Sequence, residues 1–243
     1  MTDPGIPTFF CPSANGRIKT SSNDSISKSL GTNIAICWGD NPAEIYSDQT
    51  GKDGDCSGRT LFYWFQERDM SFATDGASNT VVVSEIVVAE QSGTQLIKGG
   101  VAIIDGINKR NWTWGPSVCL SDKNGSTGEF KSLPLNARWW YHSRWADGRP
   151  MYTGFNTILP PNAPSCQTAD ADPANGIYTA TSNHKGGVNC ARLDGSVFFV
   201  TENVDTGNPA LPDTKVGKFM TGQSPFGVWG ALGTPQSGES VSP

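Results

Sequence analysis

No apolar stretch in this chain is long enough to cross a bilayer. The longest, around Val81–Val83 and Ile86–Ala89, fall far short of the roughly 20 residues that a transmembrane helix needs. No Lys/Arg run or basic stripe occurs and the net charge is −5, so the electrostatic footprint of nucleic-acid binding is missing. No Cys-x-x-Cys pair occurs among the six cysteines, Cys11, Cys37, Cys56, Cys119, Cys166 and Cys190, which weakens zinc-ribbon and thioredoxin-type readings. Histidine is scarce, with only His142 and His184. Gly-x-Ser-x-Gly, His-Glu-x-x-His and phosphate-cradling glycine loops are all absent, and with them the short signatures of several enzyme classes. Charged residues make up 17%, below the ~25% usual for globular domains.

What the chain does contain is turn chemistry. Its 243 residues include 28 Gly and 16 Pro, with Ser, Thr, Asn and Asp between apolar runs, a composition that serves short strands and long connections. The length suffices for a sizeable core. An even cysteine count fits an oxidising compartment, with fifteen pairings if all six are bridged; the alternative is six buried free thiols. The chain opens Met1-Thr2-Asp3-Pro4-Gly5, without the basic and apolar regions of a signal peptide. Structured-looking sequence follows from Ile6, as expected of the soluble part of a longer protein.

Strand-like runs recur along the chain. Ile34–Trp38, Thr60–Phe65, Thr80–Ala89, Asn111–Val118 and Thr153–Leu159 are candidates, and Gly100–Ile104 is expected to pair with Thr80–Ala89. The 136–145 segment (NARWWYHSRW) reads as a short helix or an irregular aromatic patch. The clearest local prediction is a hairpin joining Gly187–Leu193 to Ser196–Thr201 across Asp194-Gly195. Asp-Gly is a strong signal for a two-residue turn. That turn would set Leu193 opposite Ser196 and Cys190 opposite Phe199, and would carry His184 toward Asp205. Residues 205–225 read as an inserted Pro/Gly-rich loop, Phe226–Leu232 as a short apolar element, and 233–243 as a flexible tail.

Several segments, taken together, resemble a bacterial prepilin-like family of undetermined function, marked by His, nine residues, then Asp-Gly. Here the signature is His184 … Asp194-Gly195, within SNHKGGVNCARLDGSVFFVTENVD. ATDGASNTVVVSEI (73–86), FFCPSA (9–14), FNTILPPNAPSC (155–166) and GVWGALGTPQSGESVS (227–242) match further blocks in the family's order. The resemblance implies an α+β fold of mostly antiparallel strands: a single pilin-like head domain over 1–243, with long loops, a C-terminal β-hairpin and no N-terminal helix. It implies an extracytoplasmic place, at the periplasm or cell surface, with membrane anchoring in the full-length protein through that missing helix.

The expected function is a non-enzymatic structural subunit of a type II secretion pseudopilus or type IV pilus-like envelope assembly, partnered by other pilin-like subunits. A glycan- or solute-binding surface module sharing the anchor is the alternative, and a hydrolase of an extracellular polymer the third reading. His184, Gly187, Asn189, Asp194 and Gly195 are read as a structural hairpin. By register, His184 and Asp194 lie at opposite ends of it and cannot share an ion. Ser182 and His184 share a strand face, but no acid beside them is assured, so neither catalytic residues nor a cofactor are expected. Asp48, Asp53 and Asp55, in a Gly-rich loop, form a candidate calcium site, with Asp170, Asp172 and Asn175 a weaker one. Trp139, Trp140, Tyr141 and Trp145, with Arg138 and Arg144, form a candidate patch for a glycan or secreted protein partner, or else core packing.

Overall fold

The computed structural model describes residues 6–14, 31–42, 59–63, 67–88, 94–104, 116–131, 141–171, 175–210 and 222–239. The fold is α+β, with short helices and mostly antiparallel sheets. Among the described residues the main sheet has five strands: β1 (Ile34–Cys37), β2 (Val81–Glu85), β6 (Gly154–Phe155), β9 (Gly187–Arg192) and β10 (Val197–Thr201), in the order β10-β9-β2-β1-β6. Only the β1–β6 contact in this sheet is parallel. A second sheet joins β3 (Ala102–Ile103), β7 (Cys166–Gln167) and β8 (Gly176–Ile177). A small ribbon joins β4 (Lys123–Asn124) and β5 (Glu129–Phe130). The helices are α1 (Pro116–Ser121), α2 (Pro150–Thr153) and α3 (Gly227–Leu232).

The alternation of side chains along the strands decides what the main sheet covers. On one face Ala35, Cys37, Val188, Cys190 and Val200 are buried against Phe155 and the α3 residues Trp229 and Leu232. Trp229 stacks on Phe155 with ring centroids 6.2 Å apart. The other face carries Ile34, Ile36, Val83, Glu85, Asn189, Ala191, Val197 and Phe199, all half-buried or exposed. A second apolar cluster, with Ile158, Leu159, Ile177 and Phe226, contains the disulfide between Cys119 on α1 and Cys166 on β7. This bridge fits an oxidising compartment. Neither cysteine expectation holds for the whole set, because Cys37 and Cys190 are buried free thiols and Cys11 is an exposed one. Burial pushes both buried thiols up to about 12, so they stay protonated and unreactive. Cys56 lies outside the described residues. Among the described residues, no helix is long and apolar enough to cross a membrane.

The hairpin forms, with a correction. Phe198 faces Cys190 and Phe199 faces Asn189, one residue away from the expected register. The loop holds three residues, Leu193, Asp194 and Gly195, closed by Gly195 N–H to the Arg192 carbonyl (3.0 Å) and Arg192 N–H to the Ser196 carbonyl (2.9 Å). A two-residue type I′ turn needs positive φ at both central residues. Here only Gly195 has it (φ 84°). Asp194 instead accepts bonds from the Ser196 N–H (2.9 Å) and hydroxyl (2.7 Å), a side-chain turn that favours the longer loop.

Other expectations are also revised. β3 pairs with β7, not with the Thr80–Ala89 run, because the 100–104 backbone bonds to Ser165 and Gln167. Residues 60–62 are bends rather than a strand, and 141–145 are irregular. The short apolar element before the tail is the helix α3. The stretch from Gly233 is docked as far as Glu239: residues 233–235 are buried, and Ser237 and Gly238 donate to the Asp75 carboxylate at 2.8 and 3.0 Å. A distant carboxylate satisfies these backbone donors, which no local pattern announces.

Candidate functional site

A cleft of about 1150 Å³ opens where β2 leaves the main sheet, with Cys11, Glu85, Lys98, Asn162, His184 and Glu202 on its walls. Glu85 is the last residue of β2 and projects from the open face beside Asn189 of β9. Its carboxylate accepts the Asn189 N–H (2.8 Å), the Asn189 amide (3.1 Å) and His184 Nε2 (3.2 Å). His184 sits in the turn ahead of β9, its side chain about half exposed at 53%. The expected approach of His184 to Asp205 is replaced by this pair. Asp205 instead caps its own turn through the Gly207 N–H (2.9 Å).

Asn162 organises the opposite wall. It adopts φ 63°, a conformation that Asn tolerates better than most residues. Its carbonyl oxygen accepts the Ser182 N–H (2.9 Å), and its amide donates to Glu202 (2.7 Å). Lys98 donates to the Ser182 carbonyl (2.6 Å). The Ser182 hydroxyl accepts the His184 backbone N–H (2.8 Å), so it braces the turn while the imidazole turns to Glu85. Behind them, buried Asn33 accepts the Cys11 N–H (3.0 Å) and donates to the Ile86 carbonyl (3.0 Å). Ile86–Val88 and Pro160–Pro164 supply the apolar wall. The arrangement combines polar groups with an apolar wall, a form suited to solute binding.

The far end of the hairpin is held separately. Leu193 and Asp194 donate backbone bonds to the carbonyls of Thr80 (2.9 Å) and Ala77 (3.3 Å). The Ser196 hydroxyl, and then its N–H, hold the Asp194 carboxyl below its ordinary range. Gly187 leaves no room for a side chain, because a β-carbon there would meet the Val200 carbonyl and the Phe199 ring. The structure therefore joins His184 and Asn189 through Glu85 and leaves Asp194-Gly195 at the other end.

Asp48, Asp53, Asp55, Asp172, Arg138, Trp139 and Trp140 lie outside the described residues. Among those described, no group of three or more His, Cys, Asp or Glu could hold a metal ion. Tyr141 is buried with Met151, Tyr152 and Tyr178, so it packs the interior rather than facing a partner. Trp145 is half-buried, edge-on to Phe9 at 6.1 Å. Arg144 lies 4.4 Å from the centre of the Tyr152 ring and pairs with Asp147 at 3.2 Å. A smaller groove of about 620 Å³ runs beside Trp38, Phe62, Tyr63 and Met70. There Trp38 is only 5% exposed and forms a wall, not a stacking platform.

Sequence reasoning did not single out Lys98, Asn162 or Glu202, and Glu85 entered it only as the acid near the end of the 73–86 segment. Glu85 had a signal, as the lone charge inside the apolar run TVVVSEIVVA. In comparisons with known proteins, a family model described as "Protein of unknown function (DUF1559)" matches residues 1–207. No curated protein and no solved structure matches the chain.

Proposed function

The chain belongs to the DUF1559 family, whose function is unknown and which is commonly associated with prepilin-like proteins, and from that premise we propose that it is a non-enzymatic head domain. In this reading it is a structural subunit of a type II secretion pseudopilus or type IV pilus-like envelope assembly, displayed outside the cytoplasm and anchored there in the full-length protein. One observation supports this above the others: four of the five segments that carry the family resemblance hydrogen-bond to one another. The 73–86 segment holds the hairpin at both ends, through Glu85 to His184 and Asn189 and through Ala77 and Thr80 to its tip. Its Asp75 holds the C-terminal stretch. Asn162, in the 155–166 segment, holds Ser182. Residues spent on bracing one another build a shape, whereas catalysis asks for a base directed at a nucleophile.

This reading predicts how two variants behave. Glu85→Ala is expected to cost about 2 kcal/mol, because it strips a charged acceptor from two Asn189 donors. His184→Ala is expected to cost less than about 1 kcal/mol, as a largely solvated partner. Urea unfolding of the two proteins measures both. The functional test is to express the protein from its natural start with its prepilin-processing machinery. The expected result is a head accessible to external protease and co-purifying with envelope filaments. A full-length protein found only in the cytoplasm would defeat the proposal.

The cleft favours a second reading, a module that binds a polar solute or glycan at the surface. NMR titration with a glycan panel is then expected to perturb Lys98, Asn183 and His184. No perturbation at these residues removes that reading and leaves the first intact.

A further inference from the structure

Among the described residues, the main sheet has one open edge. Its β6 edge is two buried residues long, and the chain continues from it into a bridge between Asn156 and Thr179. The other edge, β10, is five residues long and lies outermost. Antiparallel ladders alternate bonded and non-bonded pairs. Arg192 N–H bonds to the Ser196 carbonyl and Glu202 N–H to the Gly186 carbonyl, so the even-numbered residues of this strand face β9. The backbone N–H and C=O groups of Val197 and Phe199 point outward. Sheets usually protect such an edge with Lys, Pro, a bulge or an inward charge. Residues 196–201 contain neither a charged side chain nor Pro, and the β9–β10 register is unbroken.

The side chains at this edge are apolar and uncovered. Val197 is 69% exposed and Phe199 44%. Val197 also ends a cross-strand row, Ile36–Val83–Ala191–Val197, that runs over four strands on the open face. We infer that β10 is a strand-addition edge at which two copies of this chain pair antiparallel about Phe199.

The occupant is a second copy because the strand complements itself. A two-fold axis at Phe199 sets Phe199 against its counterpart and Val197 against Thr201 of the other copy. The outward groups of Phe199 then bond reciprocally, the Val197 N–H meets a Thr201 carbonyl that already accepts one bond from its own chain's Val204 N–H (3.1 Å), and no like charges meet along the strand. One five-residue strand with two exposed apolar side chains offers far less than the ~1,200 Å² of a stable interface. The pairing is therefore weak and concentration-dependent, and it becomes effective when copies are held side by side. Its biological use rests on the assembly reading above, but the contact itself is measured on the chain alone.

Sedimentation equilibrium of the purified chain, up to about 1 mM, is expected to show a monomer–dimer equilibrium. Phe199→Lys places a charge on the edge. Val197→Pro removes an outward N–H without breaking the ladder to β9. Each is expected to weaken the dimer at least tenfold, with circular dichroism confirming that the variants fold. Leu96→Lys, a change at an exposed apolar residue elsewhere, is expected to leave the dimer unchanged. Monomer throughout the range, or a dimer indifferent to both edge variants, overturns the inference. So does a dimer that Leu96→Lys weakens equally. A dimer that forms and obeys the edge variants while the full-length protein builds no assembly would defeat the assembly reading alone.

Discussion

Replacing Cys119 and Cys166 together by serine is expected to lower stability by about 4 kcal/mol, the loop-closure value for a cross-link of this span. The two cysteines are 47 residues apart in sequence. They tie α1, a helix of six residues, to the second sheet. So short a helix has little stability of its own and depends on what it is packed against. Both cysteines are fully buried within an apolar cluster, so the substitution also loses packing there. Urea unfolding of the double variant beside the parent chain measures the change. The same experiment on parent chain with and without a strong reductant should give two curves of similar separation. A loss below about 1 kcal/mol would show that the bridge merely decorates a core stable without it.

The second large effect is acid sensitivity centred on His142. This residue is completely buried, and burial lowers its pKa to about 3 against the Tyr152 carbonyl, which acts weakly in the other direction. Nδ1 lies 3.3 Å from that carbonyl oxygen, and Nε2 has no partner among the described residues. The folded ring is thus neutral, with its proton on Nδ1. In the unfolded chain it takes up a proton near the ordinary value of about 6.5. Between these two values the unfolded state binds the extra proton, so stability falls as pH falls. The loss is about 1.4 kcal/mol per pH unit, or nearly 3 kcal/mol by pH ~4.5. His142→Asn should flatten that part of the profile, since Asn accepts the left-handed backbone (φ 56°) and does not titrate. Equal acid slopes in the two proteins would contradict the assignment.

The parts of the fold legible in the sequence are those whose cause is local. β1, β2 and the β9–β10 hairpin come from β-branched and apolar runs bounded by Gly, Asp and Asn. The hairpin's register differs by one residue from what Asp-Gly predicts because Ser196 follows Asp194-Gly195. Its hydroxyl and N–H engage Asp194 and stabilise a longer loop than Asp-Gly alone suggests. The partner of Gly100–Ile104 is not legible in the sequence because a two-residue strand carries too little pattern to choose among edges. At the site, His184 and Asn189 were visible as motif residues, and their separation from Asp194 followed from strand spacing. Their link through Glu85 was not visible, since it joins residues about a hundred positions apart by a pairing that only the folded sheet defines. The same holds for Asp75 and the 237–238 backbone, where a stretch rich in Gly, Ser and Pro is ordered by one remote carboxylate.

The unequal exposure of the sulfur atoms makes the cleft observable. Cys37 and Cys190 are sealed in the interior and Cys119 is bound to Cys166, while Cys11 stands open at the cleft wall. With Cys56 changed to serine, a thiol-directed fluorophore would attach at Cys11 alone. Its emission would then serve as a resident gauge of whatever enters beside it.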